Sequence, residues 1–219
     1  MLEKKLVWIL CLIGCFVFVQ SGLASPSGLN NIPTADVVPE NILVFQTWAN
    51  LGPERSTDLF FGAKFGVYKG VEIGLDSEDS GPIVAQFKVQ APVFGPDSKL
   101  LPLVGVENIS TDTDRAGDLN PYIVFTYDFD FLRGHVGYNF QDDNLGAFLG
   151  VDTTVQLGGR DLVLRADVRE TSDGDELLGS LGFLHVLPEN FVLEGWVSVP
   201  SDDGLEESYT IKLNYVLEF

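Results

Sequence analysis

The chain has 219 residues, of which 45% are hydrophobic, and its 32 acidic residues outnumber 13 basic ones to give a formal net charge of −19. This balance argues against nucleic acid as a partner, because phosphate binding requires a basic face. The length suits one domain of ordinary size.

Residues 1–24 have the organisation of a secretory signal peptide. Lys4 and Lys5 form a short positive segment, residues 6–19 are apolar, and residues 22–24 supply the small residues that a signal peptidase needs. The apolar segment is shorter than the roughly 20 residues of a membrane-spanning helix. We therefore predict a cleaved leader over 1–24.

A lipoprotein signal is the alternative to this cleavage site. Residues 12–15 read Leu-Ile-Gly-Cys and resemble a lipoprotein box, in which Cys15 would carry the lipid. The apolar residues 16–19 argue against it, because a lipoprotein normally continues into a polar linker.

Cysteine and histidine are scarce. The cysteines, Cys11 and Cys15, both fall in the predicted leader, and the histidines are His135 and His185. A mature chain without cysteine has no disulfide or thiolate site, and two histidines make a multi-histidine metal site improbable. We predict no metal and no cofactor.

The remainder of the chain predicts strands rather than helices. Residues 25–40 contain three prolines and read as an extended N-terminal arm, and residues 41–219 read as one barrel domain. Runs of alternating apolar and polar residues recur there between clusters of turn-forming residues. The predicted strands are 41–50, 58–68, 71–77, 81–91, 99–109, 121–129, 132–141, 145–156, 161–170, 176–187, 191–200 and 208–219.

Two turns fix a register for these strands. Residues 68–70 fit a three-residue hairpin with Gly70 in the left-handed region, which pairs Val67 with Val71. The turn over 156–161 likewise places Asp152 opposite Arg165.

The two faces of the predicted strands differ in character. One face is uniformly apolar, as at Leu59, Phe61 and Phe65, whereas the other mixes charged residues with glycines. An even number of such strands predicts an all-β fold, a single closed antiparallel transmembrane barrel of about twelve strands with lipid outside and a polar lumen. A soluble lipocalin-like barrel is the alternative, and it requires bulky apolar side chains on the inner face.

The connections between strands also separate by charge. Those after odd-numbered strands hold eighteen acidic residues and two basic ones, whereas those after even-numbered strands hold five and four. Antiparallel strands would place these two sets at opposite rims, so the segregation supports the count of twelve. We expect both termini at the less acidic rim, opposite the acidic connections; an outer-membrane barrel of this kind would have that rim in the periplasm and the acidic connections outside, as the resemblance described next implies.

The last strand carries a pattern of its own. Apolar residues alternate through Leu213, Tyr215 and Leu217 to the terminal Phe219. This pattern resembles that of the outer-membrane β-barrel proteins of Gram-negative bacteria, in which the closing segment is read by the barrel-assembly machinery. The resemblance implies that the protein resides in the cell outer membrane, with outer-membrane lipid and lipopolysaccharide as partners.

Members of that group with twelve strands include specific porins for nucleosides and acidic sugars, and a phospholipase. No motif ties this chain to one of them, and its oligomeric state is not predicted.

The charged residues of the polar face are the candidate pore lining. They would form a track for a charged solute or simply neutralise one another across neighbouring strands. The leading prediction is a porin-like passive channel for small polar solutes, and the alternative is a closed, plugged barrel with a structural or surface role. The predicted pore-lining residues are Lys64, Lys88, Asp152, Arg165, Asp167, Arg169, Glu194 and Lys212.

Two further kinds of chemistry find little support in the sequence. The acidic segments 76–79 and 172–176 offer oxygen ligands that Ca²⁺ accepts, but neither matches an EF-hand loop, so solvated loops are the better interpretation. A catalytic pair of His135 or His185 with Ser180 or Ser198 lacks any nucleophile motif. We predict that the protein is not an enzyme.

Overall fold

The chain folds into a closed barrel of twelve antiparallel strands. A computed structural model describes residues 28–52, 55–78, 81–91, 98–112, 119–141, 144–171, 176–202 and 206–219. Each strand pairs with its sequence neighbours, and β1 pairs with β12 to close the sheet. The strands are β1 Ile42–Gly52, β2 Arg55–Tyr68, β3 Val71–Glu78, β4 Ile83–Gln90, β5 Leu100–Ile109, β6 Asn120–Asp128, β7 Arg133–Gln141, β8 Asn144–Leu157, β9 Arg160–Glu170, β10 Leu177–Val186, β11 Phe191–Pro200 and β12 Ser208–Glu218.

Closure defines two rims. The end at which β1 begins and β12 stops is here called the terminal rim, and the opposite end, with the acidic connections, is the acidic rim. The seam between β1 and β12 runs from the pair Ile42–Glu218 to the pair Leu51–Tyr209. Because this seam pairs the first strand with the last, the sheet has no open edge whose backbone groups would need other partners.

The predicted fold class and strand count are confirmed, and every predicted strand end lies within three residues of the observed one. Gly70 has the left-handed conformation predicted for it, with φ of 79°. Asp152 is the partner of Arg165 in the ladder, as predicted. The prediction for Val67 is wrong in detail, because Val67 is bulged and Tyr68 pairs with Val71 in its place.

The outer face of the barrel is apolar. Large hydrophobic side chains stand exposed at alternate positions, such as Phe61 on β2, Leu149 on β8 and Ile211 on β12. Exposed apolar surface of this extent is unfavourable in water and suits a hydrocarbon surrounding. Among the described residues no helix is long and apolar enough to cross a membrane.

Residues 28–40, here called the arm, lie inside the barrel. The arm leaves β1 at the terminal rim, where Glu40 forms a parallel bridge with Gly66. It then crosses the lumen to reach Gly150 on β8 and Gly182 on β10. Ala35 and Val38 are almost fully buried against the wall.

The lumen is not uniformly polar, which corrects the sequence-based expectation. Leu103, Tyr122, Val124 and Phe148 point inward from β5, β6 and β8 and form a buried apolar cluster with the arm residues Leu29, Ile32 and Ala35. These strand residues pack against the arm, in which every third residue from Leu29 to Val38 is apolar. Part of the inner face therefore has the bulky side chains that the soluble alternative requires, whereas the exposed apolar outer face favours a membrane barrel.

Candidate functional site in the barrel lumen

The wall of the lumen holds the arm mainly through its backbone. Val38 N donates to Glu72 Oε2 at 2.7 Å, and Ala35 N donates to Thr126 Oγ1 at 3.0 Å. Asn30 N donates to Asp167 Oδ2 at 3.1 Å. The arm is thus recognised through its backbone by acceptors on β3, β6 and β9, and it bends over residues 30–32, where Leu29 N donates to Ile32 O at 3.0 Å.

Side-chain bonds add to this docking. Asn31 Nδ2 lies 2.5 Å from Ser180 Oγ and 2.7 Å from Ser198 Oγ, which joins the arm to β10 and β11. The side chain of Gln90 donates to the carbonyl of Ala35 at 2.7 Å. The arm therefore bridges opposite sides of the barrel.

Asp36 forms the ion pair of the arm. Its Oδ2 lies 2.5 Å from a guanidinium nitrogen of Arg133, the first residue of β7. Burial alone would raise the pKa of Asp36, but the charge and hydrogen bond of Arg133 outweigh it and hold that pKa below its usual range. The carboxylate is therefore ionised and paired at neutral pH.

A second ion pair crosses the lumen wall. Arg165 on β9 contacts Glu194 on β11 at 2.6 Å, and both side chains are almost completely buried. Asn214 Nδ2 donates to the other carboxylate oxygen of Glu194 at 2.6 Å and Gln46 Nε2 donates to Asn214 Oδ1 at 3.1 Å. This network runs continuously from β9 to β1 across the seam.

The two histidines have structural partners. His135 lies 2.8 Å from Thr126 Oγ1 and, through its other ring nitrogen, 2.8 Å from Asp152 Oδ2. His185 contacts the backbone oxygen of Asp161 at 3.0 Å. Neither therefore activates Ser180 or Ser198, which contact each other and Asn31 instead. The hydroxyl of Thr126 is occupied by the backbone N–H of Ala35 and is closed off from solvent by the arm.

A cavity of about 780 Å³ lies above the arm, towards the acidic rim, and is here called the vestibule. Asn30 and Asn31 of the arm form its floor. Its walls come from β1 to β5, from β9 to β12 and from the residues just before β12. The charged, aromatic and amide side chains of these walls are Gln46, Trp48, Asn50, Lys64, Asp76, Gln86, Glu107, Asn108, Arg169, Trp196, Glu206, Glu207 and Lys212.

The vestibule combines fixed aromatic groups with charges of both signs. Trp48 stacks on Phe60 with ring centroids 5.2 Å apart and a 6° angle between planes. The ammonium of Lys212 lies 5.2 Å from the centre of the Trp48 ring. Lys64 and Arg169 add positive charge, and Asp76 and Glu107 add negative charge. The cavity therefore suits small polar solutes and has no single electrostatic sign.

All eight predicted pore-lining residues lie on the inward-facing side of their strands. Lys64, Arg169 and Lys212 line the vestibule. Asp152 and Asp167 take part in the wall that contacts the arm, and Arg165 and Glu194 form the ion pair described above. Lys88 is buried beside Glu72, its ladder partner. The structure thus divides the predicted set between an open cavity and an occupied wall.

Some residues that define the site were not predicted. Thr126 and Glu72 hold the arm, and Tyr122 and Phe148 pack against it. The sequence does contain a pattern that indicates the apolar part of the lumen: residues 100–106 of β5 are apolar on both faces apart from Gly105. The apolar spacing of Leu29, Ile32, Ala35 and Val38 was the matching signal in the arm. Trp196 also lines the cavity.

The other predictions concern metal binding, the leader, the acidic segments and the C-terminal residues. In the part of the chain that the structure describes, no group of three or more histidine, cysteine or acidic residues could hold a metal ion. Residues 1–27, which include the predicted leader, lie outside the described residues, as do Asp79 of the acidic segment 76–79 and residues 172–175 of the segment 172–176. At the other end, Phe219 is exposed and Tyr215 packs on Phe191 with ring centroids 4.9 Å apart. An assembly role for Tyr215, Leu217 and Phe219 stays a prediction.

Comparison with known proteins places the fold among porins. No protein-family model matches the chain, and no curated protein matches it in sequence. The solved structure of the KdgM porin in complex with disordered oligogalacturonate superposes with a TM-score of 0.56 at 10% identity, over 80% of this chain and 98% of the porin. The NanC porin gives a TM-score of 0.53 at 10% identity, over 79% and 98% of the two chains.

Proposed function

From this porin-like fold we propose that the protein is a passive outer-membrane channel for small polar solutes. The observation that carries the proposal is the vestibule, a polar cavity enclosed by a barrel whose outer face is apolar. A solute in the vestibule is surrounded by amide, hydroxyl and charged groups that replace its hydration. No step of chemistry is required of the protein.

Location and orientation follow from the same features. An apolar outer face requires lipid around the barrel, and closed barrels satisfy every backbone group within the sheet. Together with the predicted leader for export and the Phe219 pattern for assembly, the apolar outer face supports a location in the outer membrane of a Gram-negative bacterium. Lipid and lipopolysaccharide are then the surroundings, and the acidic rim faces outward.

The lining of the vestibule does not favour solutes of one charge. Of the two similar structures, one is a porin in complex with disordered oligogalacturonate and the other is the NanC porin. In this chain the vestibule balances Lys64, Arg169 and Lys212 against Asp76, Glu107, Glu206 and Glu207. We therefore propose weak selection by size rather than strong selection for anions.

A second candidate function, a closed barrel with a structural or surface role, is favoured by the arm. The arm lies between the vestibule and the terminal rim, and it contacts β3, β6, β7 and β9 to β11. If it never leaves this position, the barrel has a blind cavity and not a path.

Liposome swelling separates the two candidates. Purified full-length protein, shown to be folded by its heat-dependent mobility on gels, is placed in liposomes and exposed to sugars from a pentose to a trisaccharide. A channel gives swelling whose rate falls with sugar size, and liposomes without protein give none. Folded protein that admits no sugar would rule out the channel and leave the closed barrel.

A further inference from the structure

We propose that the inner wall from β3 to β11 is a binding groove for a peptide recognised through its backbone, and that residues 28–38 occupy it reversibly as a plug. Occupancy of the groove closes the route from the vestibule to the terminal rim. This inference rests on the proposed channel function, and the experiments below distinguish the failure of one from the failure of the other.

The chemistry of the wall is that of peptide recognition. Glu72, Thr126 and Asp167 each accept a hydrogen bond from a backbone N–H of the arm, and Gln90 donates to a backbone carbonyl. Hydrogen bonds to the backbone of a peptide give affinity, and pockets for its side chains add specificity. The ligand class is therefore a peptide held by its main chain.

Glycines shape the pockets of the groove. A Cβ added at Gly150 would overlap the side-chain ends of Leu29 and Ile32, and one added at Gly66 would overlap the backbone of Val38 and Pro39. The missing side chains at these two positions are what allow the arm to lie against the wall. A Cβ added at Gly182 would likewise overlap the side chain of Asn30.

The arm is fixed at one end. Asn41 donates its backbone N–H to Gly66 and accepts one from Phe219, both at 3.0 Å, so the root of the arm is joined to the closing seam. From Val38 back to Gly28 the arm is held by hydrogen bonds, two of them from Asn31, by one ion pair and by the apolar cluster. Water can replace each of these hydrogen bonds when the segment leaves the wall.

A disulfide lock tests the plug in the mature chain, after cleavage of the predicted leader. Asn31 and Ser198 are in side-chain contact at 2.7 Å, so the pair Asn31→Cys and Ser198→Cys can be joined by oxidation or by a short bifunctional thiol reagent. The only natural cysteines lie in the predicted leader, so no other thiol competes. Currents are measured across a planar bilayer before and after reduction.

Locking the arm should reduce the current by about tenfold or more, since it removes the open molecules from the equilibrium. Reduction should restore the current, and the single variant Ser198→Cys should not respond. A locked barrel that conducts as freely as the reduced one would overturn the plug and leave the channel standing. If the reduced protein also passes no current, the variant Gly66→Ala described below distinguishes failure of the plug from failure of the channel.

Gly66→Ala forces the root of the arm away from β2 and should raise the current. The matched control Gly179→Ala has only one neighbouring atom, at 3.8 Å, and should behave as the natural chain does. A synthetic peptide of residues 28–40 added to Gly66→Ala should lower the current again, and a scrambled peptide should not. A peptide without effect on a conducting Gly66→Ala barrel would contradict the groove, and absence of current in every folded variant would contradict the channel itself.

Discussion

At the scale of single residues, the buried ion pair of Arg165 with Glu194 has a direct consequence for stability. Both side chains are almost completely buried, and Glu194 has a second bond, from Asn214. Removal of one partner from a buried pair leaves an uncompensated charge, which is costly, whereas replacement of both by apolar groups of similar volume is often neutral.

Glu194→Leu should therefore lower the free energy of unfolding by about 3–5 kcal/mol, the range typical of a broken buried pair. The double variant Arg165→Met with Glu194→Leu should recover most of this loss. Urea titration of the barrel in lipid vesicles, followed by tryptophan fluorescence, measures both. A double variant that is less stable than Glu194→Leu would show that the pair is not the source of the effect.

The sequence predicted which face of the sheet each residue occupies, but it did not predict which side chains bond to each other. The alternation of faces assigned Arg165 to the lumen, and the turn over 156–161 placed it opposite Asp152, as observed. Its ion pair nevertheless forms with Glu194, two strands away, while Asp152 bonds to His135. A long side chain reaches several neighbours on a barrel wall, and sequence register does not select among them.

At the scale of elements, the strands were predictable and the position of the arm was not. Strands follow from local alternation, and the turn at Gly70 from local backbone preference. The arm has no such regularity, and residues with extended conformation can lie inside or outside a barrel. Its place is set by distant partners, as in the bond from Ala35 to Thr126, ninety-one residues along the chain.

Acid should release the arm through Asp36. The docked carboxyl has its pKa held below the ordinary value of 3.8 by Arg133, which outweighs burial, and His135 acts in the same direction. A group with a depressed pKa stabilises the docked state fully above pH 3.8, and this contribution is lost as the pH falls through the docked value. Currents through the full-length barrel should accordingly rise as the pH falls below about 4.

The variant Asp36→Asn isolates this carboxyl from Glu72 and Asp167, which also bind the arm. It should be more open than the natural chain at neutral pH and should gain less current on acidification. Equal acid responses in the two proteins would assign the effect to other groups.

At the scale of the whole molecule, the sequence predicted the barrel because two independent patterns agree. Apolar alternation gave the strands, and the segregation of acidic residues between connections gave their directions and an even count. The interior was predicted less well. Its division into an apolar, arm-filled sector and a polar vestibule depends on which strands become neighbours around the closed ring.

The central claim is that solutes pass through this lumen, and covalent obstruction of the vestibule tests it most directly. Thr210 lines the vestibule, and Thr210→Cys would place one thiol there in a mature chain that otherwise has none. Lys69, exposed in a turn of the terminal rim, supplies the control Lys69→Cys. A bulky, water-soluble thiol reagent should reduce the planar-bilayer current of Thr210→Cys to a small fraction of its starting value and leave that of Lys69→Cys unchanged. A fully labelled Thr210→Cys barrel with undiminished current would contradict passage through the lumen.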